Sequence, residues 1–284
     1  MNESHSNRAI QILASLGKAI AYLALFLGSQ ALVSTGFSIA AALTVIVETG
    51  SLDLFQMLEV LMAYVTPITL ASNLFTLVFL LLFFPLRRKN PLREFQLQPI
   101  PPLAAAGAVS IAPVLYGAVT LVLSLLPAAW MADYAQASAA LNDTGLLPFL
   151  SVALAAPVVE EVIFRGLIQS RLAHALPGWP AVVLSALLFA LCHGQPVWMG
   201  YAFVLGMVLG IMAWRTGSIL PSILTHIVFN AIGQVLSLPQ LAQADGLLVI
   251  AVLLFVGITA CLLTRKGLAR LFLSSSEKES DPNV

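Results

Sequence analysis

Glu160, Glu161 and Arg165 interrupt the apolar run Pro157-Val-Val-Glu-Glu-Val-Ile-Phe-Arg-Gly166, His193 closes the run Phe189-Ala-Leu-Cys-His193, and His226 and Asn230 fall within Thr225-His-Ile-Val-Phe-Asn230. A charge at the centre of a bilayer costs about 2.5–3.5 kcal/mol even on the lenient insertion scale, so such groups are usually paired, face a bundle interior and serve a function. On a helix Glu161 and Arg165, four apart, share a face and form an ion pair. Glu160 is turned about 100° from Glu161 and is left for another partner. Phe189 and His193 share a face by the same spacing, and so do His226 and Asn230. A carboxylate, two imidazoles and a carboxamide can therefore converge from three helices. That set suits attack of water on an amide. A carboxylate, alone or with a histidine, takes the proton from water. A second histidine and an amide N–H hold the oxyanion that develops on the carbonyl oxygen.

The elements that must position these groups are membrane helices. The chain has 284 residues, 60% hydrophobic and only 9% charged, where a soluble domain carries about 25% charged residues. Its 16 prolines and 18 glycines also fit membrane helices, which tolerate both. Net charge is zero, which leaves no basic face for nucleic acid. A spanning helix needs roughly 20 mostly apolar residues, and the sequence predicts an all-α polytopic membrane helix bundle of about eight transmembrane helices. They are placed near 18–46, 64–86, 103–126, 147–172, 180–195, 197–214, 218–237 and 246–264, the first overlong and expected to tilt or break near Gly36. The first is read as an uncleaved span rather than a signal peptide. The division expected is 1–146 for the first three spans, 147–237 for the core helices that carry the site, and 238–284 for the last span and a polar tail after Leu273 that is expected to be disordered. Cys192 and Cys261 read as small packing residues.

Charge sets the orientation. Arg87, Arg88, Lys89 and Arg93 follow the second span, Arg171 the fourth, Arg215 the sixth, and Arg265, Lys266 and Arg270 the eighth. The opposite ends hold Glu48, Asp53, Glu59, Asp133, Asp143 and Asp245 and no Lys or Arg. The positive-inside rule then predicts a multi-pass protein of the cell membrane with both termini in the cytoplasm. The segment 127–146 is the longest outside connection, with Trp130 and Tyr134 at the interface.

The motif segments resemble the CPBP family, the CAAX-processing and bacteriocin-processing intramembrane proteases also called Abi proteins. Glu160, Glu161 and Arg165 match its Glu-Glu-x-x-x-Arg, followed by Gly166; Phe189 and His193 match Phe-x-x-x-His; His226 and Asn230 match the last motif; and Phe203, Gly206 and Gly210 match a glycine-spaced segment loosely. Each motif alone is weak, but all three in order inside membrane spans are specific. The resemblance implies an intramembrane endopeptidase in which Glu160 and His193 activate water. His226 and Asn230 support the oxyanion or help bind a metal, and Glu161, Arg165 and Phe189 are supporting residues. It implies a substrate that is a membrane-associated peptide or protein, such as a prenylated protein or a bacteriocin-like peptide. Glu160, His193 and His226 also form a candidate ligand set for Zn2+ with an open water position. Against zinc, the sequence has no His-Glu-x-x-His helix, and Asn230 beside His226 looks more like an oxyanion pair, so metal-independent chemistry is the reading preferred.

Blander readings compete. Glu161 and Arg165 make a structural ion pair whether or not the chain is an enzyme, Phe189 packs, and Gly206 and Gly210 form a small-residue packing face. A non-enzymatic membrane scaffold or bacteriocin self-immunity protein would keep the fold without chemistry. A proton-coupled transporter would also place Glu and His at depth, but the sequence lacks the related halves with broken helices that mark many transporters. His174 and His5 lie away from the motif segments.

Overall fold

The computed structural model describes residues 2–139, 145–238, 241 and 245–273, and among them the secondary structure is entirely helical. In chain order the helices are α1 (Asn2–Thr49), α2 (Leu54–Ala63), α3 (Val65–Leu86), the single turn α4 (Pro91–Glu94), α5 (Pro102–Ser124), α6 (Ala128–Ala139), α7 (Leu146–Ala175), α8 (Gly178–Leu191), α9 (Pro196–Thr216), α10 (Leu220–Leu236), α11 (Gly246–Leu263) and α12 (Arg265–Phe272). Of the described residues, six stretches are long and apolar enough to cross a membrane: Ile10–Thr49, α3, α5, α7, α9 and α11. The expected bundle is present, and its eight predicted spans fall on α1, α3, α5 and α7–α11. Two of them are shorter than drawn: α8 has 14 residues and α10 has 17.

Sequence and structure part in three further places. α1 runs unbroken past Gly36 for 48 residues, roughly 72 Å at 1.5 Å per residue, so it outreaches a hydrocarbon core of about 30 Å. The connection after it holds α2, which Asp53 caps through its carboxylate on the N–H groups of Phe55 and Gln56. The outside connection expected at 127–146 contains α6. Trp130 there is exposed, but Tyr134 turns inward and meets Trp198 edge-on. The polar tail and Asp143 lie outside the described residues.

The core is organised around α7. Every residue from Glu161 to Gln169 is buried, and α7 packs against α1, α3, α8, α9 and α10. Phe26, Phe84, Phe164 and Phe189 fill the space around it. α5 forms the second seam, with α10, α11 and α12. The outward faces keep Leu32, Leu43, Val78, Leu82, Phe255 and Leu262 exposed, an apolar exterior suited to lipid. At Gly166 the backbone of Phe95 lies so close that an added Cβ would stand 2.7 Å from its carbonyl oxygen. The glycine after the motif arginine is therefore required by this close approach of the α4–α5 connection.

α7 is not a uniform α-helix. Two stretches, Phe149–Ala155 and Glu161–Gln169, are π-helical, separated by an α-helical turn at Ala156–Glu160. Pro157 has no N–H to offer the carbonyl one turn earlier, which gives the first widening a local cause. Wide turns of this kind are rare and occur frequently at functional sites.

Candidate active site

The second π-helical stretch starts where the acidic pair stands, so Glu160 ends an α-helical turn and Glu161 begins a wide one. Glu161 is fully buried. Its Oε1 accepts from Arg165 Nη1 at 2.8 Å and from His226 Nδ1 at 2.9 Å. Arg165, with its side chain equally sealed, also donates from Nη2 to the Gly206 carbonyl at 3.1 Å and lies 4.4 Å from the centroid of the Phe189 ring. The ion pair read from the spacing is present, and it does a second job: because a carboxylate only accepts, His226 carries its hydrogen on Nδ1 and turns Nε2 the other way. Nε2 stands 3.7 Å from Glu160 Oε2. The partner left for Glu160 is thus the same imidazole that Glu161 orients. Glu160 keeps 20% of its side chain exposed, and that exposure opens into a cavity of about 560 Å³.

His193 reaches the cavity from a turn. α8 ends at Leu191, and the chain bends through Cys192 and His193 before α9 begins at Pro196. The fifth span, expected to run to residue 195, therefore ends four residues earlier, and His193 lies in the turn beyond it. His193 Nδ1 donates to the Phe189 carbonyl at 2.8 Å, which leaves Nε2 as an open acceptor. Phe189 is a hub: its ring lies 4.7 Å from that of His193, 5.8 Å from that of His226 and 5.2 Å from that of Phe164. Asn230 lines the cavity one turn beyond His226, but its Nδ2 donates to the Val152 carbonyl at 2.9 Å. Part of its donor capacity therefore joins α10 to α7, and the second amide hydrogen remains.

The glycine-spaced segment has a definite role. Gly206 and Gly210 offer their carbonyls to Arg165 and Gln169, the latter at 2.9 Å. An added Cβ would stand 3.2 Å from Arg165 Nη2 at Gly206 and 2.7 Å from Gln169 Oε1 at Gly210. The small residues let α9 receive the polar face of α7, while Phe203 packs against the core as a partly buried neighbour.

Sequence reasoning missed other side chains that line the same cavity. Tyr116, Tyr134, Trp198 and Tyr201 line the cavity, and so does Cys192, an exposed free thiol rather than a packing residue. These side chains come from α5, α6, α9 and a turn, and no local spacing links them to the motifs. His174 lies outside the cavity, with Nδ1 against the Ser170 carbonyl.

The zinc set fares differently. Among the described residues no three His, Cys, Asp or Glu side chains gather closely enough to hold a metal ion, whereas catalytic zinc takes three protein ligands. Glu160 and His226 face each other, but His193 does not complete a triad with them. The donor set does not fit the metal.

The chain is thus a polytopic helical bundle in which the Glu160 carboxylate and the imidazoles of His193 and His226 line one cavity. Residues 142–232, about a third of the chain, match the family model of the type II CAAX prenyl endopeptidase Rce1-like proteins. The match spans all three motifs and supports the resemblance to the CPBP proteases over the segment that carries them. No curated protein and no solved structure matches the chain.

Proposed function

We propose that this chain is an intramembrane endopeptidase of CAAX-protease type that hydrolyses a peptide bond in a membrane-associated peptide or protein. A prenylated protein or a bacteriocin-like peptide is the substrate class its family resemblance favours. We place it in the cell membrane with both termini in the cytoplasm. The observation that carries the reading is that Glu160, His193, His226 and Asn230 line one cavity inside the bundle, within the matched segment.

In the proposed reaction a water molecule lies between Glu160 and the open Nε2 of His193. Glu160 takes a proton as the water oxygen bonds to the carbonyl carbon. Oxyanion stabilisation falls to the second amide hydrogen of Asn230 and to His226, whose Nε2 donates when it carries a proton. The carbon–nitrogen bond then breaks, and the proton held by Glu160 passes to the leaving amine. A carboxylic acid and an amine result, with no other reactant.

Internally quenched peptides presented to the protein in proteoliposomes test this. Glu160→Gln is expected to lower kcat/KM by about 10²–10⁴-fold, the usual worth of a general base, with its unfolding midpoint in SDS little changed. A Glu160→Gln protein that still cleaves, beside a folded but inert Glu161→Gln, would show that the two carboxylates hold the reverse roles.

A further inference from the structure

The cavity reaches one end of the bundle, and α6 lies across that end. Chain ends supply much of the lining there: the turn after α8 gives Cys192 and His193, the first turn of α9 gives Trp198, and the close of α10 gives Leu236 and Ser237. α6 adds Tyr134 and Ser138. With 12 residues it is roughly 18 Å long at 1.5 Å per residue, too short to cross a hydrocarbon core of about 30 Å. It is a cover rather than a spanning wall.

α6 is lightly held. Met131, Tyr134 and Ser138 fall on its inward face at helical spacing, whereas Trp130, Asp133 and Gln136 are exposed. It packs chiefly on α9. Tyr134 makes the side-chain tie to that helix: its ring meets Trp198 edge-on with centroids 6.2 Å apart, and its hydroxyl is hydrogen-bonded to Tyr201. The Ser138 hydroxyl, by contrast, donates to the Tyr134 carbonyl of its own helix at 2.7 Å. The non-helical connection 125–127 joins α6 to α5. An element resting on one narrow face and one aromatic latch belongs to the part of a fold that opens most readily.

A cavity of about 560 Å³ is of the size that holds a small ligand, whereas a polypeptide advances about 3.3 Å per residue and must run on past the space it enters. We propose that α6 is a hinged lid over the site, latched by Tyr134 on Trp198 and Tyr201, which swings away from α9 about the 125–127 connection to admit a polypeptide to Glu160. The purpose of the lid rests on the hydrolytic reading above, but its movement is read without turnover. Lids of this kind commonly govern access to enzyme sites.

With Cys192 and Cys261 replaced by serine, spin labels at Gln136→Cys on α6 and Leu247→Cys on α11 report the separation of the lid from the bundle by pulsed EPR in lipid nanodiscs. Tyr134→Phe and Tyr201→Phe each keep the ring and remove one hydroxyl of the latch. Each is expected to raise the population at longer separation at least threefold. Distance distributions that both substitutions leave unchanged overturn the proposal, because α6 is then a fixed wall. A second arm joins Ser138→Cys on α6 to Ser237→Cys beyond α10 with a short bis-maleimide that carries a reducible disulfide. The linked protein is expected to cleave quenched decapeptides at least tenfold more slowly, with the rate restored when reductant cuts the linker. The single-cysteine proteins treated with the same reagent should keep their rates. Cleavage at the unlinked rate while linked, or equal losses in the single-cysteine controls, overturns the proposal. If no form cleaves while the latch substitutions still lengthen the separation, the hydrolytic reading fails and the lid stands.

Discussion

Glu161→Gln removes a charge from a site with no solvent to replace it. One oxygen of Glu161 receives both Arg165 Nη1 and His226 Nδ1, and the side chains of Glu161 and Arg165 are each 0% exposed. After the substitution the guanidinium retains the Gly206 carbonyl and the Phe189 face, neither of which carries a charge. Removing one partner from a buried ion pair costs about 3–5 kcal/mol, chiefly because the other charge is stranded. Replacing both partners with neutral groups of similar size is often neutral or better. The double variant Glu161→Gln/Arg165→Met is therefore expected to recover at least about 2 kcal/mol of what the single variant loses. Glu160→Gln is the control: its side chain is partly exposed and its nearest partner is 3.7 Å away, so it should shift stability by less than about 1 kcal/mol. Reversible unfolding in SDS, followed by tryptophan emission, reads all four proteins. A double variant no more stable than Glu161→Gln would refute the reasoning, because a stranded cation would then not be what the substitution costs.

Three more outcomes follow from the seams, the charge pattern and the donor set. Gly267→Ala places a Cβ 1.9 Å from the Leu103 carbonyl oxygen and is expected to cost about 1–3 kcal/mol or more by forcing α12 off α5. Gly200→Ala, with nothing within 4 Å, should be neutral or slightly stabilising; equal losses in SDS unfolding would show that the α5–α12 contact is looser than described. With Cys192 and Cys261 replaced by serine, an impermeant thiol reagent added outside cells should label a cysteine at position 143 and miss one at 89, and the reverse pattern would invert the topology. Cleavage should survive chelation, since no three ligands gather among the described residues; stoichiometric zinc whose removal stops turnover and whose return restores it would overturn that expectation.

How much of this was legible in the sequence depends on the range of the interaction. Helix positions follow from apolar runs of sufficient length, and the Glu161–Arg165 pair follows from a spacing of four on one helix. The expected fifth span runs through Cys192-His193-Gly194-Gln195, which the structure places in a turn after α8, because length alone set its end; α10 begins at Leu220, two residues later than expected. α6 was hidden by an alanine-rich stretch with no strong stripe, and its inward face is defined by Trp198 and Tyr201, more than 60 residues away in sequence. The cavity's aromatic wall is non-local in the same way. Asn230 was correctly placed beside His226, but its bond to the Val152 carbonyl depends on how α10 packs against α7, which no spacing reports.

The acidic pair shows most clearly what a helical wheel can and cannot give. A separation of about 100° predicts different partners for Glu160 and Glu161, yet both meet His226. Two features reconcile the wheel with the structure. The backbone changes from an α-helical to a π-helical turn between the two residues, so ideal angles do not carry across the junction. An imidazole also presents nitrogens on two sides of its ring, so carboxylates that diverge on α7 can converge on opposite sides of one histidine. The buried carboxylate fixes the ring through Nδ1, and Nε2 is thereby turned toward Glu160, the carboxylate exposed to the cavity. The adjacency of two glutamates is thus not redundancy. It separates the task of holding His226 from that of meeting whatever enters the cavity, and it does so with a single imidazole between them.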